Sequence, residues 1–189
     1  MTATKPQEPP VEPAERVIVN PTSGERIVIR TSAAETDGRL LAFDLYLPPG
    51  AHVPARHVHP VQVERFTVLE GRMRFTLGRR RTVHAGPGDA VVVPPGVSHW
   101  FGNAGPGTAL ARVEVRPALR MEELLEATGA IGQPGSFLGV RMPHLPDLAR
   151  FMLEFQHELA VPDVPAFLVR AVLTPFAWMG RRRAGRVAP

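Results

Sequence analysis

The 189-residue sequence has no cysteine, a single lysine (Lys5) and a single tyrosine (Tyr46). Without thiols there is no disulfide framework, no cysteine-type zinc site and no thiol nucleophile. The longest apolar stretch, VPAFLVRAVLTPFAWMG (164–180), is too short and too broken by Pro175 to span a bilayer comfortably. The opening MTATKPQEPPVEPAER lacks the apolar segment of a secretory signal, so a cytoplasmic location is the default expectation. Arginine supplies nearly all the positive charge behind the formal net of +4, and it is scattered apart from Arg79–Arg81 and Arg181–Arg183. The basic stripe interleaved with aromatics that nucleic-acid binding needs is missing, so no nucleic-acid partner is expected. Internal repeats are also lacking.

What is abundant is glycine (17) and proline (21), which favours many short elements over long helices. Residues 1–16 are rich in proline and charge with little to bury, and read as a disordered tail. From Val17 onward short β-like runs follow one another. In RLLAFDLYL (39–47), Leu41, Phe43, Leu45 and Leu47 alternate with Ala42, Asp44 and Tyr46, the period of a half-buried strand. Further runs up to TALARVEVRP are each punctuated by Gly, Pro or Asn. About ten strands at this spacing predict a sandwich or barrel over 17–117.

After Pro117 the pattern becomes helical and marks a C-terminal extension, 118–189. MEELLEATG (121–129) has an acidic first turn and a terminal glycine. In LPDLARFMLEFQHELA (145–160), Leu148, Phe151, Met152, Phe155 and Leu159 form an amphipathic stripe. These helices are too apolar to stand alone in water. Packing across the barrel or a homodimer contact is the favoured expectation. A peripheral membrane contact through 164–186 is the alternative, because the apolar segment sits beside Arg181–Arg183 and Arg186.

The chemistry lies in HVHPVQVERFTVLEG (57–71). In a strand His57 and His59 share one face. Pro60 and the short segment after it can turn the chain so that Glu64 returns near them, and Gly71 frees the next turn. In GDAVVVPPGVSHWFGN (88–103), a buried strand and a tight PPG reversal place His99 on an inward face. Three imidazoles and one carboxylate can hold a divalent ion and leave positions open for water or substrate. Phe101 has the parity of His99 and either floors a substrate pocket or fills the barrel; Phe75 is a further substrate-binding candidate, although core is the better reading for it. Gln62 has the parity of Glu64 and is a candidate hydrogen-bonding group at the mouth, although a solvated turn residue is the better reading. His52, His84, His144 and His157 read as surface or packing residues.

These two segments resemble the paired signature motifs of the cupin superfamily. The first runs Gly50…His57-x-His59-x4-Glu64-x6-Gly71, and the second runs Gly88-x5-Pro94-x-Gly96-x2-His99-x3-Asn103. One departure is that six residues separate Gly50 from His57, where the usual pattern has five. The resemblance spans roughly 38–116 and implies a single antiparallel barrel of jelly-roll type, mainly β, carrying the helical extension. It implies a metal inside the barrel on His57, His59, Glu64 and His99. The ligand types leave Fe, Mn, Ni, Cu, Co and Zn open. The expected functions are a small-molecule metalloenzyme, either a dioxygenase similar to quercetinase-type cupins or an isomerase, or else a non-enzymatic ligand-binding or sensing module. In the dioxygenase case Glu64 is a candidate to alternate between ligand and base.

Overall fold

The structure is a computed structural model that describes residues 16–20, 24–131, 134–137, 140–143 and 145–184. The tail expected over 1–16, apart from Arg16, and His144 lie outside the described residues. Nine strands come first: β1 (Val17–Val19), β2 (Arg26–Thr31), β3 (Leu41–Leu47), β4 (Val63–Glu70), β5 (Met73–Leu77), β6 (Arg81–Ala85), β7 (Ala90–Val93), β8 (His99–Asn103) and β9 (Ala109–Arg116). They form a six-stranded sheet in the order β1-β2-β3-β9-β4-β7 and a three-stranded sheet in the order β6-β5-β8. All their ladders are antiparallel.

The two sheets face each other across one apolar core, but their ladders do not join into a closed cylinder. The fold is therefore the mainly β, antiparallel jelly roll that the resemblance implied, with its two sheets not closed into a barrel. Period-two patterning explains how the core fills. On β4, Glu64, Phe66 and Val68 point inward while Val63, Arg65 and Leu69 are exposed. Met73, Phe75 and Leu77 do the same on β5, and His99 and Phe101 on β8. Strand β3 departs from this pattern, because Ala42 and Asp44 are buried as well. Its second face is covered, and Asp44 is neutralised there by Arg30, at 2.7 Å, and by Arg112. Those guanidiniums outweigh the cost of burial and hold the Asp44 carboxyl below its ordinary range.

Gly71 shows why one motif position admits no side chain. Its φ is +75°, and an added Cβ would lie 2.9 Å from the Ala109 backbone. The β4–β5 turn can press against β9 only with hydrogen at that position.

The extension comprises α1 (Met121–Ile131), a hairpin of β10 (Pro134–Phe137) and β11 (Val140–Pro143), α2 (Leu145–Glu154) and α3 (Ala166–Ala184). The hairpin was not expected from sequence. Helix α2 ends before the predicted stretch does, and the chain continues through turns to Ala160. Helix α3 takes Pro175 within it. None of the described helices is long and apolar enough to cross a membrane.

Candidate metal centre

Three parts of the fold meet at the site. Glu64 projects from β4 of the large sheet and His99 from β8 of the small one. His57 and His59 lie on the connection between β3 and β4. That connection is held extended by a bridge in which His57 N–H donates to His99 O at 3.1 Å and His99 N–H donates to His57 O at 2.9 Å. Alternation then turns both imidazoles to one side. The PPG reversal is fastened to the same segment, since Gly96 N–H donates to His59 O at 2.9 Å.

The ring nitrogens of His57, His59 and His99 that face the centre lie within 4.8 Å of one another. Glu64 Oε2 is 3.1 Å from His99 Nε2 and 3.5 Å from His59 Nε2. On the far side of each ring, Nδ1 meets a main-chain carbonyl: Ala55 for His57 at 3.1 Å, Glu158 for His59 at 2.5 Å, and Val97 for His99 at 3.2 Å. A ring that donates from Nδ1 presents a lone pair at Nε2, which is how protein matrices orient imidazole ligands. His59 Nε2, His99 Nε2 and Glu64 Oε2 are buried with no hydrogen-bond partner among the described residues. Orphaned donor atoms of this kind are costly unless something binds them. A divalent cation supplies that partner, so the residues fit the metal that the motifs imply.

The electrostatics agree. Burial, reinforced by the neighbouring imidazoles of His99 and His59, pushes the His57 pKa down to about 3, so this ring is neutral. Burial alone would raise the Glu64 carboxyl. The imidazoles of His59 and His99 outweigh it and hold the carboxyl well below the usual range. At His59 burial lowers proton affinity, and the Glu64 carboxylate more than offsets this, so the pKa rises. The centre is therefore an ionised carboxylate among imidazoles. Its low proton affinity suits Glu64 to a ligand role better than to that of a base.

The other sequence-predicted site residues fare differently. Phe101 stacks on the His99 ring at 6.5 Å with 16° between planes, and it joins Phe66 and Phe75 in one aromatic cluster. Phe75 is fully buried within that cluster. It fills the space beneath the ligands and does not line an opening. Gln62 is fully buried, neither solvated nor at a mouth. Its amide donates to Pro117 O at 3.0 Å and Ala118 O at 2.9 Å, tying the entry to β4 to the end of β9. Gln62 Oε1 keeps one buried acceptor without a partner among the described residues. His52 is exposed against Trp100, and His84 and His157 are exposed as well.

Sequence reasoning missed Glu158. It lies in the extension, its carbonyl holds His59, and its buried side chain accepts from Arg120 N–H at 3.3 Å. Next to it Ala160 and Val58 exchange two main-chain hydrogen bonds, at 2.9 and 3.0 Å. The sequence signal there was an apolar run at helical spacing, with Pro162 after it as the mark of a stop.

With this geometry in place, comparison with known proteins identifies the domain that holds it. A family model described as "Cupin domain" matches residues 43–115. Residues 43–115 carry a cupin domain. Solved structures similar to this cupin include an uncharacterized conserved protein with a double-stranded beta-helix domain from Klebsiella pneumoniae. That pair shares 24% identity over 54% of this chain and 85% of the other, with a TM-score of 0.46. An RmlC-like cupin from Shewanella frigidimarina is 18% identical over 58% of this chain and 89% of the other, with a TM-score of 0.49. A sugar phosphate isomerase of the cupin superfamily from Silicibacter pomeroyi is 20% identical over 55% and 71%, with a TM-score of 0.48. No curated protein matches.

Proposed function

We propose that this cupin is a mononuclear metalloprotein that binds one divalent ion through His57, His59, His99 and Glu64 and acts on a small oxygen-donor molecule held at that ion. The observation that carries this reading is the set of buried, unpartnered atoms on His59, His99 and Glu64, beside three imidazoles whose outer nitrogens are all fixed by main-chain carbonyls. When bound, a divalent ion with three neutral imidazoles and one carboxylate supplies either redox chemistry with dioxygen or Lewis-acid polarisation of a carbonyl or enediol. The first route is a dioxygenase of quercetinase-like type and the second an isomerase.

The chain's own residues set the terms of access. His57 is the least buried of the four ligands, so a substrate approaches from its side. Phe101 and Phe66 exclude water beneath His99. Glu64 stays ionised and neutralises part of the ion's charge.

A second reading has its own support. The aromatic cluster fills the core up to His99, and the Glu158–Ala160 segment holds His59 from the other side. A centre packed on both sides suits a ligand-binding or sensing module that does not turn over.

Elemental analysis of protein purified without added metal, wild type beside His57→Ala/His59→Ala, tests the metal reading. Near-stoichiometric metal that the double variant loses supports it. A wild type that is empty and refuses added metal overturns it. Oxygen uptake across flavonols and diketones, with isomerisation of enediol-forming sugars as a parallel assay, separates the two readings. Turnover selects the enzyme, and a loaded but inert protein selects the binding module.

A further inference from the structure

The geometry points to α3 as a foot that docks this protein on an anionic lipid surface. This inference is independent of the metal reading. One stripe of the helix, Val169, Leu173, Phe176 and Ala177, is partly or fully buried, and α3 packs chiefly on α2. The opposite stripe is just as apolar and faces solvent. Phe167 is 68% exposed, Leu168 45% and Val172 61%, and Ala171 and Pro175 lie exposed between them. Trp178 stands half exposed along the same stripe. A helix apolar all round is ordinarily covered on both sides. Contiguous exposed apolar surface of this kind marks an interaction site.

Charge selects the occupant. From Val164 to Pro189 the sequence has five arginines (Arg170, Arg181, Arg182, Arg183, Arg186) and no aspartate or glutamate. This segment carries the whole positive excess of the chain: without it, the formal balance falls from +4 to −1. Arg181–Arg183 occupy the last turns of α3, directly after the apolar stripe. An apolar face with cations beside it is the pattern of a helix lying in the lipid interface, where the side chains enter the acyl boundary and the guanidiniums meet headgroup phosphates. A second copy of the chain would bring these five cations toward another five, with no acidic residue in the segment to offset them.

The probe is vesicle flotation with the full chain, using phosphatidylcholine alone and phosphatidylcholine mixed with phosphatidylserine. The expected result is association with the anionic vesicles at low salt, none with phosphatidylcholine alone, and release at high salt. Arg181→Gln/Arg182→Gln/Arg183→Gln weakens the association by about a hundredfold. Phe167→Ser/Val172→Ser weakens it at least about tenfold, with the urea midpoint and metal content unchanged. Failure of wild type to float with anionic vesicles overturns the proposal, as does undiminished flotation of the Phe167→Ser/Val172→Ser variant. A wild type that light scattering shows to be a dimer, and that the same two substitutions convert to a monomer, also overturns it by assigning the stripe to a second copy.

Discussion

The two sheets and helix α3 treat apolar side chains in opposite ways. Between the sheets every inward residue meets another: Phe66 packs on Phe75 at 5.1 Å and on Phe101 at 4.9 Å, and all three are buried. On α3 one stripe meets α2 and the other meets water, with Phe167 the most exposed of it. Burial on all sides fixes rotamers, and fixed rotamers are what three imidazoles and a carboxylate need to converge on one point. Burial on one side only leaves a surface for a partner. The stretch between them, Phe155 to Ala160, belongs to the extension in sequence but behaves like the sheets: Phe155 and Glu158 are buried, and Ala160 is bridged to Val58.

The sharpest way to break the comparison is to cut the same residue type in both regions. Phe66→Ala removes a fully buried ring from between the sheets and is expected to cost about 3–5 kcal/mol of unfolding free energy. Phe167→Ala removes an exposed ring and is expected to stay within about 0.5 kcal/mol of wild type. Urea denaturation of the two variants measures both. Comparable losses would mean that α3 is covered in solution as thoroughly as the sheet core.

A smaller effect tests whether the 155–160 segment belongs functionally to the centre. Ala160→Pro deletes the N–H that donates to Val58 O and so loosens the carbonyl of Glu158 from His59. Removing such an outer partner of a metal-ligating imidazole is expected to weaken metal affinity about 10–100-fold. The conservative control Gln156→Ala, in the same segment but outside the bridge, should leave affinity unchanged. Competition with a chromophoric chelator reads the difference.

Smaller again is the contribution of Gln62. Replacement by Leu strands the carbonyls of Pro117 and Ala118 but relieves the lone Oε1. The net expectation is a loss of about 1–2 kcal/mol in thermal or urea unfolding, with metal stoichiometry retained. Loss of metal in this variant would place Gln62 in the centre and not beneath it.

These tests also mark how far the sequence could be read. Alternation along β4 and β8, together with two motifs at compatible spacing, was sufficient to bring Glu64 and His99 inward from opposite sheets. The partners of Gln62 and His59 were illegible for a physical reason. Both accept through main-chain carbonyls, 55 and 56 residues away for Gln62 and 99 for His59, and a carbonyl leaves no trace in residue identity. Helix α2 was overextended because Phe155 and Leu159 keep helical spacing after the regular helix has ended. The Pro162 that follows disfavours helical backbone at Val161 and was the available sign of a stop.

The gentlest probe is pH, applied to the metal-free protein. His57 is buried and neutral when folded, with its pKa pushed down to about 3, while in the unfolded chain it titrates near 6.5. The folded pKa is the lower one, so the unfolded state binds more protons between these values. Stability is therefore full above pH 6.5 and falls as pH drops toward 3. The slope from this residue is bounded by about 1.4 kcal/mol per pH unit, and the partial exposure of His57 keeps it below that bound. From pH 7 to pH 5 the urea midpoint of wild type should drop relative to that of His57→Ala, the raised pKa of His59 acting the opposite way in both. Divalent metal should flatten the wild-type profile while it remains bound, because coordination excludes the proton from the same nitrogen. A profile that metal leaves unchanged would mean that His57 stands apart from the centre, and the ligand set would shrink to His59, His99 and Glu64.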